Sequence, residues 1–264
     1  MTPTLLTPHD PNPVEIYNES ALDNNPILIV CDHASHVIPE KLKSLGLSNK
    51  DLSRHIALDI GAKMLGRLIA DGLNSALIEA GFSRLVVDLN RDPISPSSMP
   101  EVSDGTLIPG NKDLDRDSRD ARLNEIYHPY HTAISGCVKR IKNAGHTPFL
   151  ISVHSFTPVY GTEVRRTEIG LLWNNNKNIS LDFVDILRAQ NPNIIADNNK
   201  PYSITEDPHV NHTILKHGFD EENNNLLVEI RQDLISDDGG VQKYAEIFLR
   251  AFKILMEQRI AKTL

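Results

Sequence analysis

Two histidines each close an apolar run: His33 ends Ile27-Leu28-Ile29-Val30-Cys31-Asp32-His33, and His154 ends Phe149-Leu150-Ile151-Ser152-Val153-His154. Runs this short and this rich in β-branched residues predict buried strands. In an open α/β sheet, ligands gather in the crevice outside the carboxyl ends of the strands, which is where both imidazoles fall. Imidazoles from separate strand tips suit a divalent metal, and a hydrolytic zinc site takes about three protein ligands with one position open for water. Asp59 is the favoured third ligand, because an acid within the apolar stretch His55-Ile56-Ala57-Leu58-Asp59-Ile60-Gly61 should face something other than solvent. Asp32 competes for the role, although it adjoins His33 and adjacent strand residues point to opposite faces. His36, on the following loop, is a further candidate. The plainer alternatives are strand-end polar groups bonding nearby backbone and, for Asp59, a helix cap or an exposed carboxylate.

Glu229 lies inside the apolar run Leu226-Leu227-Val228-Glu229-Ile230. A buried carboxylate must be paired or must have chemical work. Arg231, two residues on, shares its strand face and offers a structural ion pair. The functional alternative makes Glu229 a general base whose raised pKa lets it take a proton from water activated by the metal. Asn90-Arg91 follows another apolar run, and the planar guanidinium fork can hold a substrate carboxylate with two hydrogen bonds, unless it pairs with Asp88 or Asp92. Arg165-Arg166, after Tyr160-Gly161, is a second basic cluster that fits either a substrate or a solvated loop.

Positioning these groups requires strands alternating with helices, the pattern of an α/β protein. Strands are expected at 27–33, 76–78, 83–89, 149–154, 169–173 and 226–230. Helices are expected over 49–72, 119–144 (kinked or split at Pro129), 181–189, 209–218 and 239–261. Residues 1–25, with Pro3, Pro8, Pro11 and Pro13, read as a loose leader before a single domain spanning 26–264. Residues 93–120 are dense in Pro, Ser, Gly and Asp, and a loop of that length in a compact domain serves as a lid or is disordered.

Composition narrows the function. A chain of 264 residues can bury a full core in one α/β domain, and a net charge of −8 argues against nucleic acid or an anionic membrane as partner. No apolar run approaches the roughly 20 residues of a membrane helix, and no signal peptide is evident, so a cytoplasmic location is expected. Cys31 and Cys137 stand in apolar surroundings and read as free, buried thiols.

Six motifs in order complete the pattern: Cys31-Asp32-His33-Ala34-Ser35, His55-Ile56-Ala57-Leu58-Asp59-Ile60-Gly61, Asp88-Leu89-Asn90-Arg91, Tyr127-His128-Pro129-Tyr130-His131, Val153-His154-Ser155 and Glu229-Ile230-Arg231-Gln232-Asp233-Leu234. Together they resemble the N-formylglutamate amidohydrolase family across residues 25–255. The resemblance implies a zinc-exopeptidase-like (phosphorylase/hydrolase-like) α/β fold, with a mixed central sheet flanked by helices. It also implies cleavage of the N-acyl amide of an acidic amino acid, releasing formate and glutamate in the name-giving reaction. The wider zinc carboxypeptidase and aspartoacylase group holds one metal with a His-x-x-Glu pair and a later His. Here His36 stands where that acid would be, so the acidic ligand falls to Asp59 or Asp32. Asn90-Arg91 looks like the group's Asn-Arg pair for the substrate carboxylate, and Glu229 like its catalytic glutamate. The expected assignment is therefore a metal site of His33, Asp59 and His154 holding one divalent ion, zinc first. Glu229 serves as base, and Asn90, Arg91, Arg231 and Arg165 contact a small N-acyl amino acid. The alternatives are a deacylase or carboxypeptidase for another N-acyl amino acid or peptide, and a binding module that kept the fold without the chemistry.

Overall fold

Three apolar strands form the centre of the molecule: β2 (Ile27–Cys31), β4 (Phe149–Phe156) and β7 (Asn224–Arg231). Every residue of β2 and β4 is buried, so both pleat faces are covered, the environment that continuous apolar runs demand. The structure, a computed structural model, describes residues 4–173, 177–202, 211–218 and 224–263. Around the central three lie β1 (Val14–Tyr17), β3 (Ala76–Ala80), β5 (Ile169–Leu172) and β6 (Ala196–Asn198), in the order β1-β3-β2-β4-β7-β5-β6. The β1–β3 and β7–β5 pairs are antiparallel and the others parallel, which makes the sheet mixed as expected.

The described helices are α1 (Ala62–Leu73), α2 (Arg116–Arg122), α3 (His128–Asn143), α4 (Lys177–Gln190), α5 (His212–His217) and α6 (Asp238–Thr263), with one further turn at Asn49–Leu52. The terminal α6 packs against both α1 and α4, while α3 packs on β1, β2 and β3. No helix among the described residues is long and apolar enough to cross a membrane. Cys31 and Cys137 are free and buried.

Three expectations need correction. The supposed loose leader carries the edge strand β1, whose Val14 and Tyr17 face Ala80 and Leu77 of β3, and Leu5 is buried in the core. Its last proline, Pro13, stops one residue short of the pairing. The helix expected over 49–72 is interrupted: after Leu52 the chain turns until α1 begins at Ala62. Gly61 has φ +79°, and a Cβ there would sit 2.1 Å from the Ile235 carbonyl oxygen, so no helix can run through it. Residues 83–89 form turns rather than a strand. Two of their carbonyls are met by side chains instead: Asn111 Nδ2 donates to that of Leu85 (2.8 Å) and buried Arg122 Nη1 to that of Val86 (2.9 Å). Just before Pro129 the expected helix is divided, in keeping with the break its proline predicts. A π-helical turn over Leu123–Tyr127 joins α2 to α3 and places Pro129 in the first turn of α3, where its missing N–H is harmless. The loop over 93–115 is partly ordered by a hairpin, Val102–Ser103 with Thr106–Leu107. Of the helix expected over 209–218, residues 209 and 210 lie outside the described residues and the remainder forms α5.

Candidate active site

Sheet register assembles the site. Parallel pairing of β4 and β7 sets Glu229 opposite His154, on one face and one strand spacing apart, and antiparallel β5 sets Gly170 on the other side of Glu229. His33 lies two residues beyond β2, which is also paired with β4. Asp59 reaches the same point from the turn before Gly61, tied down by its own N–H donating to the His33 carbonyl at 3.0 Å. Donor atoms of His33, Asp59 and His154, all buried, lie within 4.8 Å of one another. His154 Nδ1 is 2.9 Å and His33 Nδ1 3.3 Å from Asp59 Oδ2.

Each imidazole is backed on its far side. His33 Nε2 meets Asp88 Oδ1 at 2.8 Å, and Arg84 donates to Asp88 Oδ2 through Nε (3.1 Å) and Nη2 (2.8 Å). Arg84 Nη1 also lies 3.3 Å from Asp59 Oδ1. His154 Nε2 has Ser152 Oγ at 3.0 Å and Asp32 Oδ2 at 3.2 Å. Two inward Nδ1 atoms, one carboxylate and acceptors behind both rings make a donor set that fits zinc. Burial pushes the Asp59 and Asp88 carboxyls up, but the imidazoles, and Arg84 at Asp88, more than offset it, so both stay well below the ordinary range. Burial opposes charging of His154, yet hydrogen bonds to Asp32 and Asp59 raise it to about 10. Burial lowers His55, whose Nδ1 is 3.7 Å from Asp59 Oδ1, to about 4. Asp32 lies outside the three-donor cluster, behind His154, and His36 is exposed on its loop, so neither joins Asp59.

Glu229 is 4% exposed, and its Oε2 has no hydrogen-bond partner among the described residues. Burial raises its carboxyl to about 7, against the opposing charge of His154. The pair expected with Arg231 does not form. Arg231 instead bonds Asp233 (Nε to Oδ1, 2.8 Å) and the carbonyls of Arg165 and Arg166, and it takes no part in the cavity wall. The chain bends into a 3-10 turn at Gln232–Leu234, which brings Asp233 back to the guanidinium.

These groups floor a cavity of about 740 Å³ whose wall includes Arg54, Arg84, Arg91, Arg165, Tyr202 and the Val102–Asp104 hairpin edge. Arg54 is paired with Asp51 and Asp104, and Arg84 with Asp59 and Asp88. Arg91 and Arg165 have no carboxylate partner among the described residues; Arg91 Nη1 donates to the Asn90 carbonyl at 3.2 Å. Arg165 is nearly buried, with its guanidinium 4.9 Å from the ring centre of Tyr160 and 5.2 Å from that of Tyr202, and its Nε lacks a partner among the described residues. Asn90 also lines the cavity, and its amide NH₂ lies 3.3 Å from His154 Nε2.

The profile of one family, N-formylglutamate amidohydrolase, matches residues 25–236. The chain belongs to the N-formylglutamate amidohydrolase family. Membership makes it a hydrolase of amide carbon–nitrogen bonds acting on a small molecule. Among solved structures, the gene product Atu2144 of Agrobacterium tumefaciens is 35% identical, with a TM-score of 0.91 over 96% of this chain and 98% of that one. The N-formylglutamate amidohydrolase of Ralstonia eutropha JMP134 shares the fold at 17% identity, with a TM-score of 0.66 over 95% of this chain and all of that one. No curated protein matches the chain by sequence.

His55, Arg84, Asp88 and Tyr202 are among the residues of this amidohydrolase's pocket that escaped sequence reasoning as site residues. Arg84 and Asp88 were hidden because the run 83–89 looks like an ordinary strand. The available signal was their four-residue spacing, which sets both on one side of a turn so that the two side chains close on His33 and Asp59.

Proposed function

We propose that this chain removes the formyl group from N-formylglutamate, with a divalent metal held by His33, Asp59 and His154. One juxtaposition carries the reading: buried Glu229, whose Oε2 has no partner among the described residues, stands in register beside His154, one of three converging metal donors. A divalent ion bound there supplies Lewis-acid polarisation of the acyl oxygen and acidifies the attacking water. Glu229 accepts the water's proton at Oε2 and returns it to the departing amine, and a carboxyl near pH 7 can do both. Arg91 and Arg165, free of carboxylate partners among the described residues, receive the two carboxylates of an N-acyl acidic amino acid. Arg84 stays committed to Asp59 and Asp88 and keeps both carboxylates ionised and in place.

The test is formate release from N-formyl-L-glutamate by purified protein, with zinc content measured in parallel and a chelator arm. About one equivalent of zinc, hydrolysis and chelator-sensitivity are expected. Bound zinc without hydrolysis of any panel member would leave only the binding-module alternative. The cavity volume favours a second arm, because about 300–1,000 Å³ accommodates ligands far larger than this small dicarboxylate. Acetyl, longer acyl and peptidyl derivatives of glutamate therefore belong in the panel, and a preference for one of them would make the chain a deacylase or carboxypeptidase.

A further inference from the structure

We infer that Asp32 is a positioning residue: its carboxylate faces His154 as acceptor for the ring's Nε2–H and so fixes the ring with the Nδ1 lone pair facing Asp59 and His33. The inference rests on the metal reading above.

Asp32 follows the last residue of β2, and Val30 is in register with Ser152 of β4. Two residues further along, the same register brings Asp32 beside His154. Asp32 is fully buried. Its Oδ1 accepts hydrogen bonds from the Tyr130 hydroxyl and from Thr213 Oγ1, each 2.8 Å long. Its Oδ2 lies 3.2 Å from His154 Nε2, an ion-pair distance, and has no hydrogen-bond partner among the described residues. A carboxylate in this setting can only accept, so a ring N–H is the group that completes it.

The other neighbours of His154 Nε2 do not supply a comparable acceptor. Asn90 is oriented by the Thr213 N–H, which donates to its Oδ1 at 3.0 Å, so its NH₂ faces the ring. Ser152 Oγ, at 3.0 Å, is a neutral hydroxyl. Asp32 alone brings charge. The arrangement repeats what Asp88 does for His33, 2.8 Å behind that ring's Nε2. A ligating histidine is held in this way by a carboxylate on its second nitrogen, which fixes the tautomer and raises ligand basicity.

The same geometry gives a role to the motif Tyr127-His128-Pro129-Tyr130-His131. Tyr130 holds Asp32, while His131 Nε2 donates to the Leu89 carbonyl at 3.0 Å, next to Asn90. Thr213, from α5, ties Asp32 and Asn90 together.

The experiment uses the full chain, stripped with chelator and titrated with zinc against a chromogenic competitor. Asp32→Asn should still take up one equivalent at saturation but with affinity about 10–100-fold weaker. Tyr130→Phe, which keeps the carboxylate and loosens it, should weaken binding less. In the zinc-loaded wild type, proton NMR should show a downfield imidazole N–H from each ligating ring; Asp32→Asn should shift that of His154 and spare that of His33. Zinc affinity within twofold of wild type, with the resonance unmoved, overturns the inference. So does complete loss of zinc in Asp32→Asn, as expected for His33→Ala, because it would make Asp32 a ligand. Should Asp32→Asn fail to fold, Tyr130→Phe decides: unchanged affinity and resonance refute the positioning role. A wild type that takes up no zinc overturns the metal reading itself, whereas unaltered binding by the variants refutes only the role of Asp32.

Discussion

Replacing Glu229 by Gln keeps the side chain's shape and removes its charge, and the consequence can be worked out. Burial moves this carboxyl from 4.5 to about 7. The unfolded chain therefore releases the proton near pH 4.5, while the folded chain holds it until about pH 7. The stability linked to that proton is complete below pH 4.5, is lost as the pH rises through the window, and is gone above about 7. The span corresponds to about 3 kcal/mol. Glu229→Gln has no such titration. In chelator-treated protein it should gain about 3 kcal/mol relative to wild type between pH 4.5 and pH 7.5, on top of any offset that is the same at every pH. Urea unfolding at a series of pH values reads this difference directly. The zinc-loaded variant should keep its metal and lose about 10²–10⁴-fold in kcat, the usual contribution of a positioned base. A stability difference that does not vary with pH would refute the burial argument. Normal turnover in the variant would remove Glu229 from the chemistry.

Other expectations concern the frame around the site. Gly61→Ala should destabilise the chain by more than about 2 kcal/mol, since the left-handed backbone alone costs roughly 1–2 and the new Cβ meets the Ile235 carbonyl; a scanning-calorimetry Tm equal to wild type would contradict this. Arg122→Met leaves the Val86 and Gly110 carbonyls and Asn111 Oδ1 without their donor, so a loss of about 3 kcal/mol in urea unfolding is expected. Arg91→Met and Arg165→Met should each lower kcat/KM for a dicarboxylic substrate about 10–100-fold while sparing zinc content, and an unchanged kcat/KM for either would exclude it from substrate binding.

The central strands and the groups at their carboxyl ends were legible in the sequence. Continuous β-branched runs such as Ile27-Leu28-Ile29-Val30 can be buried on both faces only in the middle of a sheet, and a polar residue closing such a run has no place but the sheet's edge of function. The positions of His33 and His154 follow from that reasoning, that of Glu229 from the cost of burying a carboxylate inside such a run, and the six motifs in order carry the family. Which acid completes the cluster was not decidable locally. Asp59, Asp32 and His36 differ by where the chain carries them: the Gly61 turn brings Asp59 inward, the pairing of β2 with β4 places Asp32 behind His154, and the loop after β2 leaves His36 outside. Tertiary structure also decided the run 83–89, whose apolar composition reads as a strand. Its Leu85 and Val86 carbonyls are met by Asn111 and Arg122, 26 and 36 residues away, and such distant donors free the backbone from a ladder and let Arg84 and Asp88 turn toward the site. Local pattern records what a segment must bury; only the folded chain determines which remote side chains meet its polar atoms, and therefore which charges remain free for chemistry.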